Sequence, residues 1–248
     1  MPAPPRTVCS VLLRTALVTG SLIVTGLLAH GSPAHPWPLP PPLPARLADT
    51  GGGSQLITAV APAPGSTTGR VTWWDRWGGR WYERGSAEAR FGANGLTEGA
   101  SRAQGTNTTP TGLYELPYAF GIRRAPAGTE FAYRPVTDAS WWCQDNASGS
   151  YNRWVEPLPA DCAPGEAEHL VAYGQQYAHA MVIGFNYGEP VRGRGAGIFL
   201  HVNGKGATAG CVSVPEGAMR AILRWADPER DPHIAIGTES GALAVTRY

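Results

Sequence analysis

Past residue 55 the chain is written in short β-branched and aromatic runs, each closed by turn residues, and that rhythm confines it to a mainly β architecture. Leu56 to Val60 reads as a first strand and Arg70 to Trp74 as a second. Trp77-Gly78-Gly79-Arg80-Trp81 then gives a tight hairpin turn between aromatic flanks. Phe131 to Val136, Ala178 to Phe185 and Gly197 to Val202 are further strands. Two helices are expected. One is short, around Glu166 to Tyr173. The other starts at Pro215, a favoured first-turn residue, and places Met219, Ile222, Leu223 and Ala226 on one face. A chain of 248 residues has room for one large domain with appendages, and nine Trp and nine Tyr supply apolar area for its core.

The N-terminal part follows other rules. Arg6 and Arg14 precede an apolar run from Thr15 to Ala29, and Ser32-Pro33-Ala34 offers the small residues of a cleavage site. Residues 1–34 therefore read as a signal peptide, with an uncleaved N-terminal anchor as the alternative. The run is short for a membrane span, and contact with a membrane is expected only through this segment if it is retained. Residues 35–54, HPWPLPPPLPARLADTGGGS, read as an extended linker with a flexible joint at Gly51 to Ser54. The folded domain is then residues 55–248. The expected location is outside the cytoplasm, in the cell wall, envelope or medium, where disulfides persist.

The 20 basic and 19 acidic residues nearly cancel, and no basic stripe or nucleic-acid motif appears, so nucleic acid is not an expected partner. The cysteines say more. Cys9 precedes the apolar run and is lost with the signal, leaving Cys143, Cys162 and Cys211, an odd set. The polar, loop-rich stretch between Cys143 and Cys162 would benefit from a staple, which in the chain-entropy model is worth roughly 3 kcal/mol. Pairing those two leaves Cys211 as the free thiol.

Cys211 lies in FLHVNGKGATAGCVSVP, residues 199 to 215. Strand alternation puts Ile198, Leu200 and Val202 on one side of the preceding run and Phe199 and His201 on the other. A strand-delivered imidazole, a glycine loop and a cysteine before a helix form an acyl-transfer arrangement. His201 would act as base, lowering the thiol pKa by about two units so that thiolate predominates. With no Cβ at Gly210, a substrate carbonyl can approach the N–H groups of Gly210 and Cys211 as an oxyanion hole. The competing interpretation is a buried apolar thiol beside a packing histidine. His169, His179, His201 and His233 are scattered without close pairing, so no metal site is expected.

The segment TAGCVSVP after a strand ending in histidine resembles the active-site signature of the YkuD-type L,D-transpeptidases, in the form found among actinobacterial members. The likeness extends through GANGLTEGASRAQGTNTTPTGLYELPYAFG (residues 92–121), Trp141-Trp142, Ser150-Tyr151-Asn152, Ala167-Glu168-His169-Leu170 and GRGAGIFLH before the turn. It implies a mixed β-sandwich or barrel with a few peripheral helices. It implies Cys211 as nucleophile, His201 as base oriented by the main-chain carbonyl of Val202, Gly210 before the cysteine, and Thr208 as a donor or loop brace. Donor and acceptor would be peptidoglycan stem peptides, joined 3→3 through a thioester with release of D-alanine and without metal or organic cofactor. An L,D-carboxypeptidase or a non-catalytic wall-binding protein are the alternatives. Two positions depart from the commoner signature: Ala209 stands where a second histidine is usual, and Ser213 where arginine or asparagine is usual. Lys205, Arg192 or Arg194 are the expected substitutes for a carboxylate contact.

Overall fold

The structure, a computed structural model, describes residues 40–248, and these make one compact unit. The expected signal segment lies outside the described residues, as do residues 35–39 of the linker. No helix among the described residues is long and apolar enough to cross a membrane.

The strands are β1 (Gln55–Ala61), β2 (Thr68–Trp77), β3 (Arg80–Arg90), β4 (Leu96–Glu98), β5 (Thr109–Glu115), β6 (Ala119–Gly121) and β7 (Tyr133–Pro135). They continue as β8 (Trp141–Cys143), β9 (Arg153–Val155), β10 (Ala167–His169), β11 (Ala180–Val182), β12 (Phe199–Val202), β13 (Val212–Val214) and β14 (His233–Thr238). Eleven of them form a mixed sheet in the order β4-β5-β14-β1-β2-β3-β13-β12-β11-β6-β7, and β10-β8-β9 form a small second sheet. Ile57 of β1, Val71 of β2, Met181 of β11 and Leu200 of β12 all join one apolar cluster. Strands far apart in the order thus face one another across a shared core, so the sheet curls into a sandwich.

The sequence pattern explains the main elements. Gly78 and Gly79 take φ of +53° and +77°, a two-residue turn that suits the twist of the β2–β3 hairpin, with Trp77 opposite Arg80. The single α-helix among the described residues, α1 (Glu216–Trp225), follows Pro215 and buries Met219, Ile222 and Leu223 completely. Each of those side chains contributes about 1.5–3 kcal/mol by leaving water. On β12 the expected alternation holds. Leu200 and Val202 enter the large core, whereas Phe199 enters a second cluster with Phe120, Trp142, Trp154, Tyr177 and Cys211. The ring of Phe120 meets those of Trp154, Tyr177 and Phe199 edge-on at 5.1–5.5 Å.

Several expectations need correction. Ala167–His169 is a strand rather than the start of a helix, because it pairs with Trp141–Cys143 of β8, and only 3-10 turns flank it. The runs at 131–136 and 178–185 contain only the three-residue strands β7 and β11. The described part of the expected linker, residues 40–54, packs on the domain. Leu43 and Leu47 lie against Trp74, Trp81 and Val245, Pro44 is buried, and the Ser54 N–H donates to the Arg230 carbonyl at 2.9 Å.

Cys143 and Cys162 form a disulfide across a separation of 19 residues, and Cys211 is free. The bond closes the segment that carries β8 and β9. Replacing both cysteines by serine should lower unfolding stability in urea by about 3 kcal/mol. Alkylation of the unreduced, denatured mature protein, without residues 1–34 and their Cys9, should label Cys211 alone.

Candidate active site

β12 and β13 run parallel, with Leu200 opposite Val212, His201 opposite Ser213 and Val202 opposite Val214. Parallel neighbours ordinarily need a crossover of about a dozen residues or more; here residues 203–211 suffice. Thr208 holds that loop in shape. Its N–H donates to the Phe91 carbonyl and its carbonyl accepts from the Ala93 N–H, both at 2.8 Å. Its hydroxyl donates to the Cys211 carbonyl at 2.6 Å and accepts from the Gly210 N–H at 3.1 Å. Gly210 has φ +138°, and a Cβ there would stand 2.8 Å from Arg102 Nη2 and 2.9 Å from the Thr108 carbonyl. Only glycine fits.

His201 and Cys211 line the same cleft, a cavity of about 320 Å³. The His201 Nδ1–H donates to its neighbour's carbonyl, Val202 O, at 2.8 Å, which leaves Nε2 as the bare, basic nitrogen. The ring also meets the edge of Tyr177, with centroids 5.6 Å apart. The Cys211 thiol points toward the Gly197 carbonyl and accepts from the Phe199 N–H, each at 3.4 Å. Among the described residues no hydrogen bond joins it to His201. The Cys211 N–H also has no acceptor among them.

Burial dominates the electrostatics. Cys211 and His201 are 7% and 6% exposed. Loss of water pushes the thiol up to about 12, reinforced by the nearby Glu168 carboxylate, and pushes the imidazole down to about 4 against the opposing pull of the Val202 carbonyl. The resting pair is neutral thiol and neutral imidazole, not the thiolate form expected from spacing. Sγ is turned toward Gly197 and Phe199 rather than toward Nε2. Catalytic hydrogen bonds that tighten only in the complex are a common pattern.

The wall facing the loop comes from the small sheet. Glu168 on β10 accepts from Gln144 Nε2 at 2.6 Å and from the Tyr177 hydroxyl, and burial raises its pKa above the ordinary value. Gln144, Glu168, Tyr173 and Tyr177 all reach the cleft. Asn152 fixes this wall to the strand before the site. Its Oδ1 accepts from Trp142 Nε1 at 2.9 Å and from the Gly197 N–H at 3.0 Å.

Of the expected residues, Cys211, His201, Thr208 and Lys205 border the cleft. Gly210 lies beside it, but its N–H is spent on Thr208, so it is not an open oxyanion donor. Arg194 and Arg192 are not at the cleft. Arg194 offers only its carbonyl to Arg102, and Arg192 donates to the Asn146 carbonyl over the Tyr151 ring. Ser213 is fully buried and donates to Asn203 Oδ1 at 2.8 Å, so no substrate contact arises there. Arg102, Glu168 and Gln144 were not singled out by sequence reasoning. Arg102 and Glu168 occur in motif segments but have no spacing rule linking them to Cys211, from which they are remote in sequence.

The family model of the YkuD L,D-transpeptidase catalytic domain matches residues 64–236. Among solved structures, the chain is similar to that of Bd1075 from Bdellovibrio bacteriovorus, at 15% identity and a TM-score of 0.36, over 74% of this chain and 48% of that one. The chain thus spans about half the length of that protein. No curated protein matches.

A neutral resting pair has a kinetic signature. Alkylation of Cys211 by iodoacetamide should accelerate about tenfold per pH unit between about pH 6 and pH 9, because thiolate is the minor form throughout. A plateau across neutral pH would reveal a thiolate–imidazolium pair instead. The depressed imidazole gives a second expectation. Its neutral form stabilises the fold fully above about pH 6.5, and that contribution is lost as pH falls toward 4, whereas His201→Gln should flatten this part of the stability profile.

Proposed function

Because the chain belongs to the YkuD family of L,D-transpeptidase catalytic domains, we propose that it is a cysteine acyltransferase that cross-links peptidoglycan stem peptides. The observation that carries this is the arrangement of His201 and Cys211 on one cleft, with the imidazole held from Nδ1 so that Nε2 is the basic nitrogen. Cys211 Sγ attacks the carbonyl before the terminal D-alanine of a donor stem while its proton passes to His201 Nε2. The oxyanion meets the unspent Cys211 N–H. Collapse breaks the peptide bond, the His201 proton goes to the leaving amine, and D-alanine departs from a thioester. A diamino-acid amine of a second stem then attacks, gives its proton to His201 and regenerates the thiol, leaving a 3→3 link.

Amine capture is favoured over hydrolysis by the cleft's far wall. Glu168 presents a carboxylate that draws a cationic amine toward the thioester. Gly204-Lys205-Gly206 border the same cleft and narrow the path for water, with Gly204 O held by Arg90 Nη1 at 2.7 Å. The substrate lies outside the cytoplasm, so residues 1–34 act as the export signal and the domain works at the cell envelope.

Incubated with a disaccharide–tetrapeptide, the protein should release D-alanine and form a dimer joined 3→3, and Cys211→Ala should do neither. Tripeptide without dimer would make it a carboxypeptidase. Unchanged tetrapeptide with no adduct on Cys211 by mass spectrometry would sink the acyl-transfer proposal.

A further inference from the structure

Arg102 is a buried cation without a counter-charge. It is 6% exposed, and no carboxylate lies within ion-pair reach of it among the described residues. Its Nε–H donates to the Thr108 carbonyl at 2.7 Å and its Nη1–H to the Arg194 carbonyl at 3.2 Å. Nη2 has no acceptor among the described residues. The guanidinium lies against Gly195 and Gly210, where a Cβ would come within 1.8 Å of Nη1 and 2.8 Å of Nη2, and it borders the cleft together with Cys211. Holding an unpaired charge largely out of water is expensive. A site that keeps one, pinned by two carbonyls with both Nη2 hydrogens unspent, is prepared for an anion.

We propose that Arg102 binds the terminal carboxylate of the donor peptide and so selects donors that end one residue beyond the bond that is broken. The proposal rests on the acyl-transfer reading above, and the placement of Arg102 against the residue before Cys211 agrees with it. The residue after the scissile carbonyl carries its own carboxylate about one residue step away, ~3.8 Å between successive Cα atoms, and Nη2 lies beside Gly210, the residue next to the nucleophile. The far wall reinforces the direction of binding, because Glu168 repels a carboxylate that Arg102 attracts. Lys205 is a weaker candidate, being exposed on the loop rim where solvent screens it and its four-carbon stem is free. A donor extended by another residue places a neutral amide against Nη2, and the buried charge then stays unpaired.

The test compares two tetrapeptide donors, one ending in D-alanine and one in D-alaninamide, on the full chain and its variants. Wild type should favour the free acid in kcat/KM by about 10- to 100-fold, the range for a charge-assisted hydrogen bond, with most of the difference in KM. Arg102→Gln should erase that preference, slowing the acid far more than the amide, with any slower alkylation of Cys211 from the lost charge shared equally by both donors. Equal use of both donors by wild type would overturn the proposal without any variant. So would an Arg102→Gln protein that keeps the preference, or one that loses both donors equally, which is what a mere loop brace or oxyanion contact would give. Should that variant fail to fold, Arg102→Lys keeps the charge but not the fork, and an unreduced preference in it would also count against the proposal. Wild type that consumes neither donor and forms no adduct on Cys211 would bring down the acyl-transfer reading itself, and the carboxylate role with it.

Discussion

The parallel pairing of β12 with β13 is the constraint on which the site depends. Two strands that point the same way and follow each other closely in sequence force the intervening chain to travel back along their whole length. Residues 203–211 do this with glycines at 204, 206 and 210 and with the Thr208 hydroxyl bonded at both ends of its own turn. The return path leaves Cys211 at the start of β13, on the cleft that His201 reaches from the neighbouring strand. Lengthening the loop would free Thr208 from Phe91 and Ala93, and the thiol would no longer have a fixed position relative to the imidazole.

Alternation along β12 then divides the labour between the two faces of the sheet. Leu200 and Val202 are tied into the large core under α1, which makes the backbone at 202 rigid. That rigid backbone supplies the carbonyl that aims the imidazole. On the opposite face, Phe199 and Tyr177 exclude water from the thiol and the ring and hold both neutral. A dry site of this kind keeps the thiol in its less reactive neutral form, so it is shielded from adventitious electrophiles.

The hairpin at Gly78-Gly79, α1, the Cys143–Cys162 bond and the two faces of the strand at 197–202 were all legible in the sequence, since each depends on local spacing or on simple counting. The segment 166–173 was misjudged because its fate is settled by pairing with Trp141–Cys143, a contact that no local pattern announces. The thiolate expectation failed for a related reason: spacing brings an imidazole near a thiol but carries no information on how much water the fold leaves there. Arg102 escaped notice because a buried arginine looks like any loop arginine until the carbonyls of Thr108 and Arg194 are seen around it.

The wall that bears Glu168 has a sheet of its own. Residues 141–169 form their own small sheet, are stapled by their own disulfide, meet β12 where Trp142 packs edge-on against Phe199, and hold the Gly197 N–H through Asn152. The nucleophile, the base and Arg102 all lie outside it. The two parts are not independent: Trp142 and Trp154 of this segment pack in one cluster with Phe199 and Cys211, so a shift of the small sheet is felt at the thiol. Changes that suit a different cleft occupant therefore fall most cheaply on the residues of this segment that line the cleft without entering that cluster, Gln144 and Glu168.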